Sequence, residues 1–343
     1  MRITELRNSL QPFNWIHMKH VTILVPTGAI LGSIEGPRQV LTEVNKFLKN
    51  TGRPPLFKVQ LAGLQKEIPA AGGKYTVYAD TLIKDIDHTD LVIIPALDGD
   101  MSTTLAQNND FIPWIIRQYN SGAEVASLCV GAFLLASTGL VKGRQCATHW
   151  MAANDFRRMF PDVNLVEDKI ITDEQGIYTS GGAFSYLNLI LYLIEKYVSR
   201  DVAVFMSKAF QIDIERRSQS PFILFHGQKA HEDEAVRKAQ EFIEQNVDER
   251  ITVDQLASMF ALGRRALERR FKKATANTVV EYIQRVKMEA AKKSLETSRE
   301  NVTEVMYNVG YTDPKAFRIT FKKITGLSPV QYRSKYNREL AVN

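Results

Sequence analysis

Cys129 is the residue whose setting most suggests chemistry. The stretch Ala123-Glu-Val-Ala-Ser-Leu-Cys-Val-Gly-Ala-Phe-Leu-Leu135 reads as a strand ending in a cysteine, then small residues, then an immediate helix. An elbow of this kind strains the cysteine backbone and aims the thiol at a helix N-terminus. There the dipole and free N–H groups lower the thiol pKa and can hold an anion. Such a thiol is expected to be partly thiolate and alkylatable, with Cys146 reacting more slowly. A nucleophile also needs a base, which Thr148-His149-Trp150 could supply. The alternative is that Cys129 is a small buried hydrophobe.

The second chemistry-bearing group is basic. Of the 343 residues, Met1–Glu232 hold 23 Lys+Arg and 23 Asp+Glu. Asp233–Asn343 hold 21 and 15, so the whole net charge of +6 sits in the last third. That asymmetry suggests an electrostatic partner, most often nucleic acid, the alternative being a solvated basic surface.

This third repeats itself. Ala266, Phe271, Lys272, Lys273, Thr275, Val280 and Tyr282 recur 50 residues later as Ala316, Phe321, Lys322, Lys323, Thr325, Val330 and Tyr332. Upstream the offset is 49, where Thr252-Val-Asp-Gln255 pairs with Asn301-Val-Thr-Glu304. Both tetrads look like capping boxes. The slip places one extra residue in the second turn, around Thr312 to Pro314. Each copy reads as capped helix, tight turn and basic second helix: Val253–Phe260 with Arg264–Ala274, then Val302–Val309 with Pro314–Ile324. That is a helix-turn-helix, twice. A helical scaffold is the alternative, but two copies are fewer than a solenoid needs.

At 100° per residue, Leu267 and Phe271 share one side of the first basic helix, as Phe317 and Phe321 do of the second, and these are core positions. The remaining surface carries Arg264, Arg265, Glu268, Arg269 and Lys272 in copy one and Lys315, Arg318, Ile319 and Lys322 in copy two. Arg can bind guanine bidentately, Glu can accept from cytosine N4, and Ile can touch a thymine methyl. The basic residues could also contact phosphates alone.

Around these groups the first two thirds alternate strand and helix signals. Strands are expected at 20–26, 56–61, 90–95 and 123–128. Helices are expected from Gly36-Pro37 to Asn50 with Pro at the first position, over 104–119 with a break near Pro113, over 131–138 and over 181–198. Such alternation implies α/β architecture, a parallel sheet covered on both faces. Residues 213–232, including Arg216-Arg217, Gln219 and Ser220-Pro221, are polar and aperiodic and read as a linker. Beyond them only helices are expected.

Composition sets limits. A hydrophobic fraction of 45% and a charged fraction of 24% exclude wholesale disorder and coiled coil. Two cysteines exclude a disulfide framework. Met1–Lys19 lacks the apolar segment of a signal peptide, and the longest apolar run, Val125–Val141, is too short and interrupted for a membrane span, so a cytoplasmic protein is expected. His17, His20, His88, His149, His226 and His231 give no zinc spacing, and no phosphate-loop or dinucleotide fingerprint occurs, so no cofactor is expected.

Two families are recognisable. Leu267-Glu-Arg-Arg-Phe-Lys-Lys273, Glu281-Tyr-Ile-Gln-Arg-Val-Lys287, Val309-Gly-Tyr-Thr-Asp-Pro-Lys-Ala-Phe-Arg318 and Phe321-Lys-Lys-Ile-Thr-Gly-Leu-Ser-Pro329 with Tyr332-Arg333 closely resemble the DNA-binding domain of AraC-type transcription regulators, over about residues 233–337. The resemblance implies seven helices, with a long one at about Val279–Thr297 joining two units that enter successive major grooves. One departure is Ala276-Asn-Thr-Val279, where copy two has Gly326 to Pro329, and it could alter that turn.

Residues from about Val21 to Phe210 resemble the PfpI-like, class I glutamine amidotransferase-like, flavodoxin-like fold. The matching segments include Gly28 to Pro37, Ile94-Pro95, Ser127-Leu-Cys-Val-Gly-Ala132, Gly143-Arg144, Ala147-Thr-His-Trp150 and Thr179-Ser-Gly-Gly182. The fusion resembles the GlxA-type regulators. It implies a sensor and dimerisation domain over 20–212, a linker over 213–232 and a DNA reader over 233–337. The implied partners are double-stranded DNA, a small-molecule inducer, a second copy and RNA polymerase, with no membrane. The implied ligand site gathers Cys129, Val130, His149, Leu31 and Gly99. Catalytic relatives pair the elbow cysteine with a carboxylate, but Leu31 aligns there, Ser33 stands where many regulators carry Asp, and Glu35 is out of register. No catalytic residue is therefore expected. The rivals are a Cys-dependent hydrolase or glyoxalase-like enzyme with an accessory DNA-binding domain, and a constitutive DNA binder whose first domain only dimerises.

Overall fold

The computed structural model describes residues 18–214, 218–229 and 231–337, so Met1 to His17 and the Arg216-Arg217 pair lie outside the described residues. The chain forms two compact units, divided between Gln219 and Ser220.

In the first unit, strands β1 (Lys19–Leu24), β2 (Phe57–Gly63), β3 (Glu67–Ala70), β4 (Tyr75–Tyr78), β5 (Thr81–Leu82), β6 (Leu91–Ile94), β7 (Glu124–Leu128), β8 (Gln145–Cys146), β9 (Asn164–Leu165), β10 (Ile171–Glu174) and β11 (Ile177–Ser180) alternate with helices. Seven strands make the central sheet in the order β10-β11-β7-β6-β1-β2-β5. All its pairings are parallel except β10 with β11. The sheet is therefore mixed at one edge. Its extra strand joins through Gln175 and Gly176, both left-handed, in a hairpin lacking the familiar Asn-Gly signal.

The covering helices are α1 (Leu31–Asn50), α2 (Met101–Gln107), α3 (Phe111–Asn120), α4 (Ala132–Ser137), α5 (Ala153–Met159), α6 (Tyr186–Tyr197) and α7 (Arg200–Ala209). Successive strand residues point to opposite faces, and here both faces are apolar. Ile93 belongs to the core under α1, α6 and α7, whereas Val92 and Ile94 belong to the core under α3 and α4.

Two helix starts differ from expectation. α1 begins at Leu31, so Pro37 lies inside it rather than at its first position. Pro37 has no N–H for the Ser33 carbonyl, and the Tyr186 hydroxyl donates to the neighbouring Gly32 carbonyl at 2.6 Å. α6 begins at Tyr186 rather than near Gly181, because Gly181 is packed against the Gln219 side chain and Gly182 is left-handed. The break expected near Pro113 falls at 108–110, ahead of α3.

The second unit follows its sequence signals closely. Its α-helices are α8 (Glu234–Gln245), α9 (Val253–Met259), α10 (Arg264–Thr275), α11 (Val279–Thr297), α12 (Val302–Asn308), α13 (Pro314–Thr325) and α14 (Pro329–Tyr336). Thr252 with Gln255 and Asn301 with Glu304 form complete capping boxes, and so do Thr278 with Glu281 and Ser328 with Gln331.

The repeat extends to the packing. Tyr282 lies edge-on to Phe271 at 5.2 Å and donates to Glu244 at 2.7 Å. Tyr332 does the same with Phe321 at 5.5 Å and Glu296 at 2.5 Å. Each copy therefore leans on a supporting helix, α8 or α11, through a Tyr–Glu bond. The departure at Ala276 does not alter its turn. Ala276 takes the same left-handed cap (φ 58°) that Gly326 takes in copy two (φ 74°), at a cost of about 1 kcal/mol for a residue with a Cβ.

Candidate functional site

The second helix of each helix-turn-helix divides into a buried and an exposed face. Leu267, Phe271, Phe317 and Phe321 are fully buried. Arg265, Arg269, Lys272, Lys315, Arg318 and Lys322 are exposed, and Ile319 stands 59% exposed between them.

Two of the expected contacts are occupied. Arg264 bonds Asp254 of α9 at 3.0 Å and Glu268 at 3.3 Å, so Glu268 and Arg264 neutralise each other on the free surface. Among the described residues, no ion pair or hydrogen bond engages the side chains of Arg265, Arg269, Lys315, Arg318 or Lys322. Lys272 lies 4.0 Å from Glu281. Arg270, next to Arg269, turns away from the face. It makes two bonds to Asp233, at 2.6 and 2.8 Å, tying α10 to the N-cap of α8 and holding the Asp233 carboxyl below its usual range.

The elbow lies at the carboxyl edge of the parallel strands, where open α/β sheets place their ligands. Cys129 has φ +55°, the strained conformation expected of it. Gly131 is required by close approach, since a Cβ there would stand 2.3 Å from the Pro95 carbonyl. The loops after β1 and β6 are stitched together. Ile30 N–H donates to the Ala96 carbonyl (2.9 Å), Ala96 N–H donates to Ser33 Oγ (2.9 Å) and Asp98 N–H donates to the Gly28 carbonyl (2.8 Å). Leu31, half-buried at the start of α1, and exposed Gly99 thus lie on loops fixed to one another. Thr148 Oγ1 donates to the Cys129 carbonyl at 3.1 Å, which draws the segment carrying His149 under the elbow.

The thiol itself corrects the expectation of a partial thiolate. Cys129 is 5% exposed, and burial pushes its pKa up to about 11 despite the Val130 N–H, which favours the anion. Desolvation outweighs that one hydrogen bond. Cys146 is more deeply buried and pushed to about 12.

Nor is a base in place. His149 Nδ1 accepts the Met151 N–H at 3.1 Å, and burial lowers its pKa. Among the described residues no hydrogen bond joins it to the thiol. Glu35 is exposed and makes two bonds to Arg38, each 2.6 Å, so it is not directed at Cys129. Among the described residues no cluster of His, Cys, Asp and Glu could hold a metal ion.

Gln219 is the residue that sequence reasoning passed over. It is buried, and its Nε2 donates to the carbonyls of Thr148 (3.0 Å), Glu167 (3.1 Å) and Lys169 (3.0 Å). Its Oε1 is buried without a partner among the described residues. The last residue of the first unit therefore reaches the segment that supports the elbow. Its signal was absent from the sequence because its partners are main-chain carbonyls.

Comparison with known proteins fits this geometry. The family described as "Helix-turn-helix domain" matches residues 256–335, and the DJ-1/PfpI family matches residues 36–196. The chain thus carries a DJ-1/PfpI-matching region followed by a helix-turn-helix domain. The regulator ArgR of Pseudomonas aeruginosa is similar, with 23% identity over 62% of this chain and 65% of that protein. The regulator CdhR of the same organism is similar over nearly the whole length, with 22% identity across 91% of this chain and 90% of that protein. A crystal structure described as a putative transcriptional regulator from Vibrio parahaemolyticus shares the fold of the first unit, covering 56% of this chain and 98% of its own, with 21% identity and a TM-score of 0.51.

The buried thiol sets a testable pH dependence. A neutral thiol does not react, so alkylation of native Cys129 by iodoacetamide should be very slow at pH 7 and rise toward pH 11. Mass-spectrometric labelling checks it, and rapid modification of Cys129 at pH 7 would contradict the buried, protonated state.

Proposed function

We propose that this protein is a sequence-specific DNA-binding transcription regulator controlled by a small metabolite held at the Cys129 edge. The observation that carries the reading is the pair of matched helix-turn-helix units, each exposing a basic helix over a buried aromatic seam. In this reading residues 20–212 sense and dimerise, 213–232 connect and 233–337 read DNA. Arg265, Arg269, Lys315, Arg318 and Ile319 face bases, and Lys272 and Lys322, near the helix ends, face phosphates. The chain acts as a cytoplasmic homodimer that activates through RNA polymerase. Among the described residues no helix is long and apolar enough to cross a membrane.

The enzyme reading is disfavoured by the buried thiol with its raised pKa, the surface-paired Glu35 and a His149 ring whose Nδ1 is taken by the Met151 N–H. Ligand control runs through the chain itself. Cys129 is bonded to Thr148, Thr148 to Gln219, and four residues after Gln219 the Ile223 carbonyl accepts Lys292 Nζ of α11 at 2.6 Å. A ligand at the elbow that shifts Thr148 releases Gln219 and with it the segment leading to α11.

DNA binding should weaken steeply with salt, as counterion release requires. Arg269→Ala or Arg318→Ala should lose about 1–3 kcal/mol and relax sequence preference, whereas Lys272→Ala or Lys322→Ala should weaken specific and random duplexes alike. Fluorescence anisotropy on selected and scrambled duplexes distinguishes the two, and affinity independent of salt would contradict the reading.

Gln219→Ala and Cys129→Ser should leave the DNA affinity of the full chain within about twofold, since neither faces DNA, but should change promoter response to the inducer. A reporter assay beside hydrolase and glyoxalase assays tests this. A robust activity lost in Cys129→Ser would restore the enzyme reading.

A further inference from the structure

Lys287 lies mid-way along α11 and is 6% exposed. Its Nζ donates to three main-chain carbonyls. Val247 (2.5 Å) and Glu249 (2.9 Å) belong to the loop between α8 and α9, and Val309 (2.8 Å) belongs to the turn between α12 and α13. One ammonium thus ties the lead-in of the first helix-turn-helix to the turn of the second. Gly310 makes the approach possible. It has φ +70°, and a Cβ there would stand 2.2 Å from the Asp248 carbonyl and 2.6 Å from Lys287 Nζ.

α11 gives Val279, Tyr282, Ile283 and Val286 to one apolar core and Met288, Ala291 and Leu295 to the other, and Lys287 stands at the boundary between them. The core around Leu256, Leu267 and Phe271 and the core around Val305, Phe317 and Phe321 are separate clusters, and Val247 is the side chain packed against both. Apolar contacts slide at small cost, but a buried cation stripped of its carbonyls does not. Turning one helix-turn-helix against the other would strand the ammonium.

We propose that Lys287 is a positioning residue that fixes the distance and phase between α10 and α13, and so sets the spacing of the two half-boxes the chain accepts. The inference rests on the DNA-binding reading above. Lys287 itself, buried beneath the surface, touches no DNA.

The test uses the full chain and duplexes selected by it from a random pool. The preferred pair of half-boxes is re-synthesised with up to two base pairs added or removed between them. Each added pair rotates the second half-box by about 34° and shifts it by about 3.4 Å. The wild type is expected to lose about tenfold in affinity per step, the effect of a lost base contact. Lys287→Met is expected to spread less than about threefold across the series while keeping the base preference within each half-box. Lys287→Gln, which can still donate to two carbonyls, carries the comparison where the Met variant does not fold. A variant weakened by one common factor at every spacing overturns the proposal, because that is what a merely stabilising residue would show. A wild type that tolerates the insertions also overturns it. A chain that selects no duplex defeats the DNA-binding reading itself.

Discussion

A lysine ammonium can remain in a protein interior only if oxygen atoms replace the water it gives up. In the second unit those oxygens are the carbonyls of Val247, Glu249 and Val309, drawn from both halves of a repeated structure onto the helix that joins them. The rest of the unit is built to keep that meeting point. Four capping boxes fix where α9, α11, α12 and α14 begin. In each copy one Tyr–Glu bond fixes the tyrosine whose ring packs on α10 or α13. What is left over, two exposed basic faces in fixed relation, is what a reader of a two-part DNA site needs.

The first unit obeys a different constraint. Open α/β sheets commonly place their ligands at the carboxyl edge of the parallel strands. The chain spends considerable strain there, with Cys129 at positive φ and Gly131 pressed against β6. Yet the thiol is buried with its pKa pushed up, and the carboxylate Glu35 is exposed and paired with Arg38. In the proposed reading this elbow holds a molecule rather than converting it.

The degree to which this was legible differs between the units for physical reasons. Helix limits in the second unit follow from caps, and caps are side chains, so α9 to α13 are readable to within a residue. The parallel core strands are readable because both faces are apolar. The antiparallel edge strand β10 is not, since its turn is Gln175-Gly176, and α1 is misplaced because proline usually marks a first turn and here sits inside. The state of Cys129 depends on how much surrounding chain buries it, which no local pattern records. Lys287 and Gln219 are equally hidden, because each bonds carbonyls that every residue carries.

The claim that organises these observations is that one chain presents two reading helices to successive major grooves at a set separation. Methylation-protection footprinting of the full chain on a selected duplex measures it directly. The account predicts two protected major-groove segments per protomer, about 34 Å or one helical turn apart on the same face of the duplex. A single short protected segment per protomer, or two segments whose separation varies among selected sites, would contradict it.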